Sequence, residues 1–215
     1  MIDGNVTNCA RAYRDGLRKT GFGTSLKRFF RDRDGVAALE FALIAPLLLS
    51  MYFMTMEVGQ GIETDKKVNR IGSMVADLIT QQQSVTKADI DAIMAIGEAT
   101  IQPYGRSQPS IEVTAIEVTN ETTPKVKVVW SRKLVNGAFS IAAAKDSITT
   151  VPPALKVKGS FFIRVSSSLA YKPVITWAAE NKSALGLLSA FDGINMSQTY
   201  HLRPRMSTTV PCSDC

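Results

Sequence analysis

Residues 35–56 read GVAALEFALIAPLLLSMYFMTM, and this stretch decides the fold of the chain. From Val36 to Met56 there are 21 residues, and only Glu40 carries a charge at neutral pH. As a helix rising about 1.5 Å per residue, the run is roughly 30 Å long, the thickness of a bilayer's hydrocarbon core. Immediately before it stands Arg31-Asp32-Arg33-Asp34, a fully charged block that stops at Gly35. The chain therefore has a charged head, one apolar segment and a polar region reaching Cys215.

The distribution of charge orients this arrangement. The formal net charge is +6, which taken alone invites a nucleic-acid reading. Residues 1–35 hold eight Lys/Arg (Arg11, Arg14, Arg18, Lys19, Lys27, Arg28, Arg31, Arg33) against four Asp, so most of the excess precedes the apolar run. That asymmetry follows the positive-inside rule and predicts a cytoplasmic head with the C-terminal region outside. The head lacks the interleaved aromatics or fold of a nucleic-acid binder, so no nucleic-acid partner is expected. Cys9 falls in the head, whereas Cys212 and Cys215 fall in the external part, where an oxidising compartment favours pairing.

Glu40 has two readings on residues alone. An acid in the first turn of a helix gains from the macrodipole, and near the membrane edge it reaches water. On that reading residues 36–56 are an ordinary signal anchor. Four features argue for more: the spacing from Gly35, the small and apolar residues between, Phe41 directly after the acid, and the charge block directly before. Together they resemble the cleavage site of type IV prepilins, and GVAALEFALIAPLLL is most similar to the TadE/TadG-like minor pilins, or pseudopilins, of the tight adherence (Tad) pilus system. The resemblance is specific over roughly residues 33–60. It implies a membrane-embedded prepilin peptidase cutting between Gly35 and Val36, with Glu40 and Phe41 serving assembly. It also implies other Tad pilins and an inner-membrane assembly platform as partners.

Taken in order, residues 1–35 read as a basic cytoplasmic leader, with Leu26, Phe29 and Phe30 able to touch a membrane surface. Residues 36–59 are the transmembrane or pilin-type helix. Pro46 within it removes one backbone hydrogen bond and predicts a kink. Residues 60–103 form a helical stalk and a second helix. Ile71, Met74, Val75 and Leu78 recur at helical spacing, with Val58 and Ile62 roughly in line, while Gly59, Gly61 and Gly72 weaken the extension. Gln81 to Ser84 reads as a linker, and Thr86 caps a helix carrying Ile90, Ile93, Met94, Gly97 and Ile101 that stops before Pro103.

Residues 104–215 read as a periplasmic β-rich domain. Ile111, Val113 and Ala115 alternate, then Ile116 and Val118 continue on the other parity, which predicts a bulge. Val126, Val128 and Trp130 form the second arm of a hairpin across the turn at residues 120–124. Residues 136–159 are mixed, and Phe161 to Tyr171 is a third strand. Residues 174–196 suit a loop with a short helical turn, and Ser197 to Val210 an edge strand because of Pro204. The fold class expected is α+β: a long hydrophobic helix extending into an amphipathic one, then a small antiparallel sheet with a second helix.

Residues capable of catalysis are sparse. His201 is the single histidine, and no G-x-S-x-G, P-loop or H-E-x-x-H motif occurs. Asp89 and Asp91 read as acids complementing a helix start, and Arg203-Pro204-Arg205 as a solvated edge. Cys212-Ser213-Asp214-Cys215 has C-x-x-C spacing, but no helix follows it to lower a thiol pKa, so a structural disulfide, between these two or to another subunit, is the expectation over a redox or zinc site. No enzyme activity, metal or cofactor is expected. The resemblance, joined to the apolar run and the charge asymmetry, implies a single-pass inner-membrane protein with a periplasmic domain that acts by assembly into a Tad/Flp-type pilus for adherence. The alternative is an uncleaved, single-span anchored periplasmic binding module.

Overall fold

The computed structural model describes residues 36–173 and 194–215. The expected basic leader, with Cys9 and Gly35, and residues 174–193 of the loop with a helical turn expected over 174–196 lie outside the described residues, while Asn195 and Met196 of that range belong to the last strand. The fold is α+β. Its elements are α1 (Val36–Thr80), α2 (Lys87–Ala99), β1 (Ser110–Val118), β2 (Val126–Val135), β3 (Ala138–Ser140), β4 (Phe161–Ala170) and β5 (Asn195–Leu202), with a 3-10 turn at Pro153–Leu155. The chain divides into two compact units, Met1–Phe53 and Met54–Cys215.

In the first unit the described residues belong to α1, and their large side chains are exposed, Leu39, Phe41, Leu43 and Leu47 among them. In the second unit the same helix becomes amphipathic. Glu57, Thr64, Val68, Ile71, Gly72, Val75, Ala76 and Ile79 are buried and share one face of the helix. This stripe departs from the expected one: Val58 and Ile62 are exposed, and Met74 and Leu78 are only half-buried. The small residues Gly72 and Ala76 share the buried face and let the sheet come close, which turns the helix away from the larger side chains. At Gly72 a Cβ would lie 2.9 Å from both Ser167 Oγ and the Tyr200 ring.

Helix α2 begins as its sequence dictates. The Thr86 side chain accepts from the Asp89 amide while the Asp89 carboxylate accepts from the Thr86 amide, a reciprocal capping box. The Thr86 hydroxyl also donates to Asp89 Oδ2 at 2.8 Å, and this bond, followed by that from the Thr86 amide, holds the Asp89 carboxyl below its ordinary pKa. Asp91 has another task, an ion pair with Arg132 of β2 that binds α2 to the sheet. Ile90, Met94 and Gly97 face inward, and Gly97 lies so close to Val75 that a Cβ would meet its Cγ2 at 2.9 Å.

The sheet has the order β3-β2-β1-β4-β5, and every neighbouring pair is antiparallel. Its register shifts between Ala115 and Ile116 of β1, opposite Trp130 and Val128, so the extra residue is Val129 of β2. The parity change in β1 thus reflects apolar burial on both faces, and the bulge belongs to its partner. Ile111, Val113, Ala115, Trp130, Ile163 and Val165 pack with α1 and α2 in the main core. Ile116, Val118, Val126 and Phe162 form a second cluster with Val151 and Leu155. Val126 and Trp130, which share a parity in the sequence, are sent to different clusters by that inserted residue.

The mixed region 136–159 contains a strand that its sequence did not disclose. Asn136 and Gly137, at φ 50° and 73°, turn β2 back into the short edge strand β3. At the other edge, β5 ends at Leu202, ahead of Pro204, and the chain continues as a tail whose Val210 is buried. The tail is sewn down by Trp130 Nε1–H donating to Val210 O at 2.8 Å and the Arg205 amide donating to Thr80 O at 2.9 Å.

Candidate assembly helix and its anchorage

Val36 opens α1, and Glu40 and Phe41 stand exposed in its second turn. The helix runs through Pro46, and Ser50 Oγ donates to Leu47 O at 2.8 Å one turn later, a bond that removes a hydroxyl from an apolar surface. One 18-residue window of α1 has mean hydropathy 2.0 and none of it is buried. Among the described residues, α1 is the helix long and apolar enough to cross a membrane. An exposed apolar surface of this size is a site for lipid or for another protein.

Beyond the apolar run, the helix is held by a polar cluster. Glu57 is 6% exposed, and Tyr171 at the end of β4 donates its hydroxyl to Glu57 Oε1 at 2.6 Å. Arg106 reaches Gln60 Oε1 at 2.7 Å and Lys172 O at 2.8 Å, with its guanidinium 5.0 Å from the Tyr104 ring centroid. Tyr104 stacks on Tyr171, and its hydroxyl accepts from the Lys172 amide at 2.8 Å. Burial first, and then the bond to Glu57, pushes the Tyr171 pKa up to about 12. Sequence reasoning missed this cluster because Glu57 and Tyr171 are 114 residues apart. The available signal was an acid directly following an apolar helix.

Two results are expected from Tyr171. Tyr171→Phe deletes a bond to a buried carboxylate and should cost about 2 kcal/mol in urea unfolding of the detergent-solubilised protein. The pKa is raised on folding, so the protonated form is favoured in the folded state. The contribution is complete below pH 10 and fades as pH rises towards 12. The gap between wild type and Tyr171→Phe should therefore narrow by about 1 kcal/mol from pH 9 to pH 11. A gap independent of pH would contradict the assignment.

The remaining candidate residues are dispersed. Cys212 and Cys215 are joined in a disulfide. Their sulfurs and the Asp214 carboxylate lie within 4.8 Å of one another, but sulfurs bonded to each other lack the thiolate charge that a metal takes. His201 of β5 pairs with Arg164 of β4, and its buried Nε2 has no hydrogen-bond partner among the described residues. Burial, followed by the Arg164 charge, lowers its pKa and keeps it neutral at pH 7. Arg203 lies over the Phe162 ring and Arg205 pairs with Asp77, so the two arginines serve different surfaces.

Comparison with protein families singles out the helix. Residues 35–69 match the family described as TadE-like protein. Over this stretch the chain is similar to that family. The TadE-like segment spans the whole apolar run with Val36, Glu40, Phe41 and Pro46, and continues through the anchoring residues Glu57 and Gln60 to Val68 of the core stripe. The sheet and α2 lie beyond the match. No curated protein and no solved structure matches the chain.

Proposed function

We propose that this protein is a minor pilin or pseudopilin of a Tad/Flp-type pilus, held in the inner membrane by residues 36–59 with its sheet domain in the periplasm. The observation that carries this reading is the TadE-like segment itself: an unburied, membrane-length apolar helix preceded by Gly35 and interrupted by a single acid, Glu40. The function is assembly in the service of adherence, with no catalysis by the chain. The prepilin peptidase cuts after Gly35, and the helix then leaves lipid for a bundle of other pilin helices on the assembly platform. In that bundle Glu40 answers the Val36 amine, its own or a neighbour's, because two opposite charges in a low-dielectric setting strongly favour pairing. A bend at Pro46 helps fit the helix among its neighbours.

N-terminal sequencing of membrane-extracted protein tests this. A mature chain beginning at Val36 is the expected result, and one beginning at Met1 supports an anchored binding module instead. Gly35→Leu should leave only the precursor, since the peptidase must approach a backbone that carries no side chain there. Trimming of that variant at the normal rate would count against the prepilin reading.

A further inference from the structure

The C-terminal tail closes over the start of α2. Val85, just before the helix, donates its amide to Pro211 O at 3.0 Å, and its carbonyl accepts from the Ser213 amide at 3.1 Å. Asp214 Oδ1 then accepts from the Lys87 amide at 2.8 Å, satisfying a first-turn N–H that the capping box leaves open. A carboxylate there also gains from the helix dipole. Asp214 sits inside the ring closed by Cys212 and Cys215, so the disulfide fixes the residue that makes this contact. The helix N-terminus that a C-x-x-C pair usually takes from its own succeeding helix is supplied here in space by α2.

The surroundings give this pair a direction. Cys215 is exposed and lines a small cleft of about 150 Å³ with Lys87, Arg132 and Lys145. Cys212 is half-buried and its Sγ lies 3.5 Å from Asp214 Oδ1. A thiolate formed at Cys212 is repelled by that carboxylate and takes a proton, so after opening the covalent ring no longer fixes Asp214 in place.

We propose that the Cys212–Cys215 disulfide is a redox-operated cap, which when reduced releases the tail from Val85 and Lys87 and frees the start of α2. The reductant is an external dithiol. Its thiolate attacks the exposed Cys215 Sγ, the Cys212–Cys215 bond breaks, and Cys212 departs as a thiolate that takes a proton. The reductant's second thiolate then attacks its own sulfur in the mixed disulfide and releases Cys215, which is protonated in turn. The tail gains two electrons and two protons, and the dithiol becomes a disulfide. The main core, anchored through Val210 and Trp130, stays intact while the cap opens. The cap thus responds to the redox poise of its compartment, independently of whether the chain enters a pilus.

The test is amide hydrogen exchange on the full chain in detergent, with and without excess dithiothreitol, with alkylation confirming complete reduction. Exchange at the Val85 and Lys87 amides should accelerate by about tenfold or more on reduction, as Val85 loses its bond to Pro211 O and Lys87 its charge-assisted bond to Asp214, while Val113 and Val165 stay unchanged. Asp214→Ala, with the disulfide intact, should accelerate Lys87 and spare Val85. Cys212→Ser combined with Cys215→Ser should show the fast exchange without reductant and ignore dithiothreitol. Unchanged exchange after full reduction would overturn the proposal. So would equal acceleration in β1 and β4, because the disulfide would then staple the whole domain. Should the double variant fail to fold, the reduced wild type decides alone.

Discussion

Gly72→Leu is expected to abolish the folded sheet domain. Even the Cβ of alanine at this position would stand 2.9 Å from Ser167 Oγ and 2.9 Å from Tyr200 Cδ2. Neither neighbour is free to retreat: Ser167 Oγ donates to Val68 O at 2.9 Å, and Tyr200 donates to Asn69 Oδ1 at 3.2 Å. Both bonds return to α1 beside Gly72, so making room means parting the helix from β4 and β5. Overpacking of a close-packed site costs about 1–3 kcal/mol for modest insertions, and leucine should exceed that. Against a total of about 5–15 kcal/mol for a typical domain, such a loss is decisive. Gly59 is the control, since nothing lies within 4 Å of a Cβ there. Gly59→Ala should be neutral or stabilising by up to about 1 kcal/mol through helix propensity. Circular dichroism melts of the three proteins in one detergent would check both. A Gly72→Leu melt matching the parent would mean that the helix does not sit against the sheet at this point.

The second large effect concerns assembly and rests on the pilin reading. Glu40→Val should still be inserted and still be cut after Gly35, because neither the leader nor the glycine has changed. Insertion gains if anything, since the one charge in the apolar run has gone. The loss comes when helices pack away from water. Glu40 is four residues beyond Val36, one turn along the helix, where a carboxylate meets an amine on the same face or on a neighbour. Removing one partner of a buried pair costs roughly 3–5 kcal/mol, because the other charge stays behind. The expected outcome is mature protein confined to the membrane fraction and no pili by electron microscopy, with Glu40→Gln behaving alike. Normal piliation by Glu40→Val would reduce Glu40 to a residue that caps a helix.

What could be read from the sequence depended on how far each feature leans on its surroundings. The apolar helix is legible because 21 residues without a second charge need no tertiary context to be recognised. The capping box at Thr86 is legible for the same reason, being complete within four residues. Strands β1 and β4 announced themselves by alternation, but the bulge at Val129 is set by pairing with β1 and sends Trp130 to a face its parity does not suggest. Asn136-Gly137 carried a hairpin signal that the mixed composition around it concealed. The face of α1 was misjudged where glycine and alanine, with little hydrophobic weight, mark the closest approach. The polar anchorage at Glu57 joins residues from three distant segments, and nothing local in any one of them predicts the other two.

The order of the chain sets a timetable for its synthesis. The stripe Val68, Ile71, Val75 and Ile79 is made early, yet its core companions include Val165, Met196 and Val210. At about 5–20 residues per second, on the order of ten seconds separates the first from the last. For that interval α1 offers a second apolar surface just behind its membrane-length one, without the sheet that will bury it. On the pilin reading, two greasy stretches in tandem are a hazard, since the translocation machinery must retain one and let the other pass. Glu63, Asp65, Lys66 and Lys67 stand between the two, before Val68. These charges divide one apolar stretch from the next, so the two are never a single hydrophobic run even before the sheet is made, and in the finished fold Lys67 pairs with Glu63 and donates to Gln102 O at 2.8 Å.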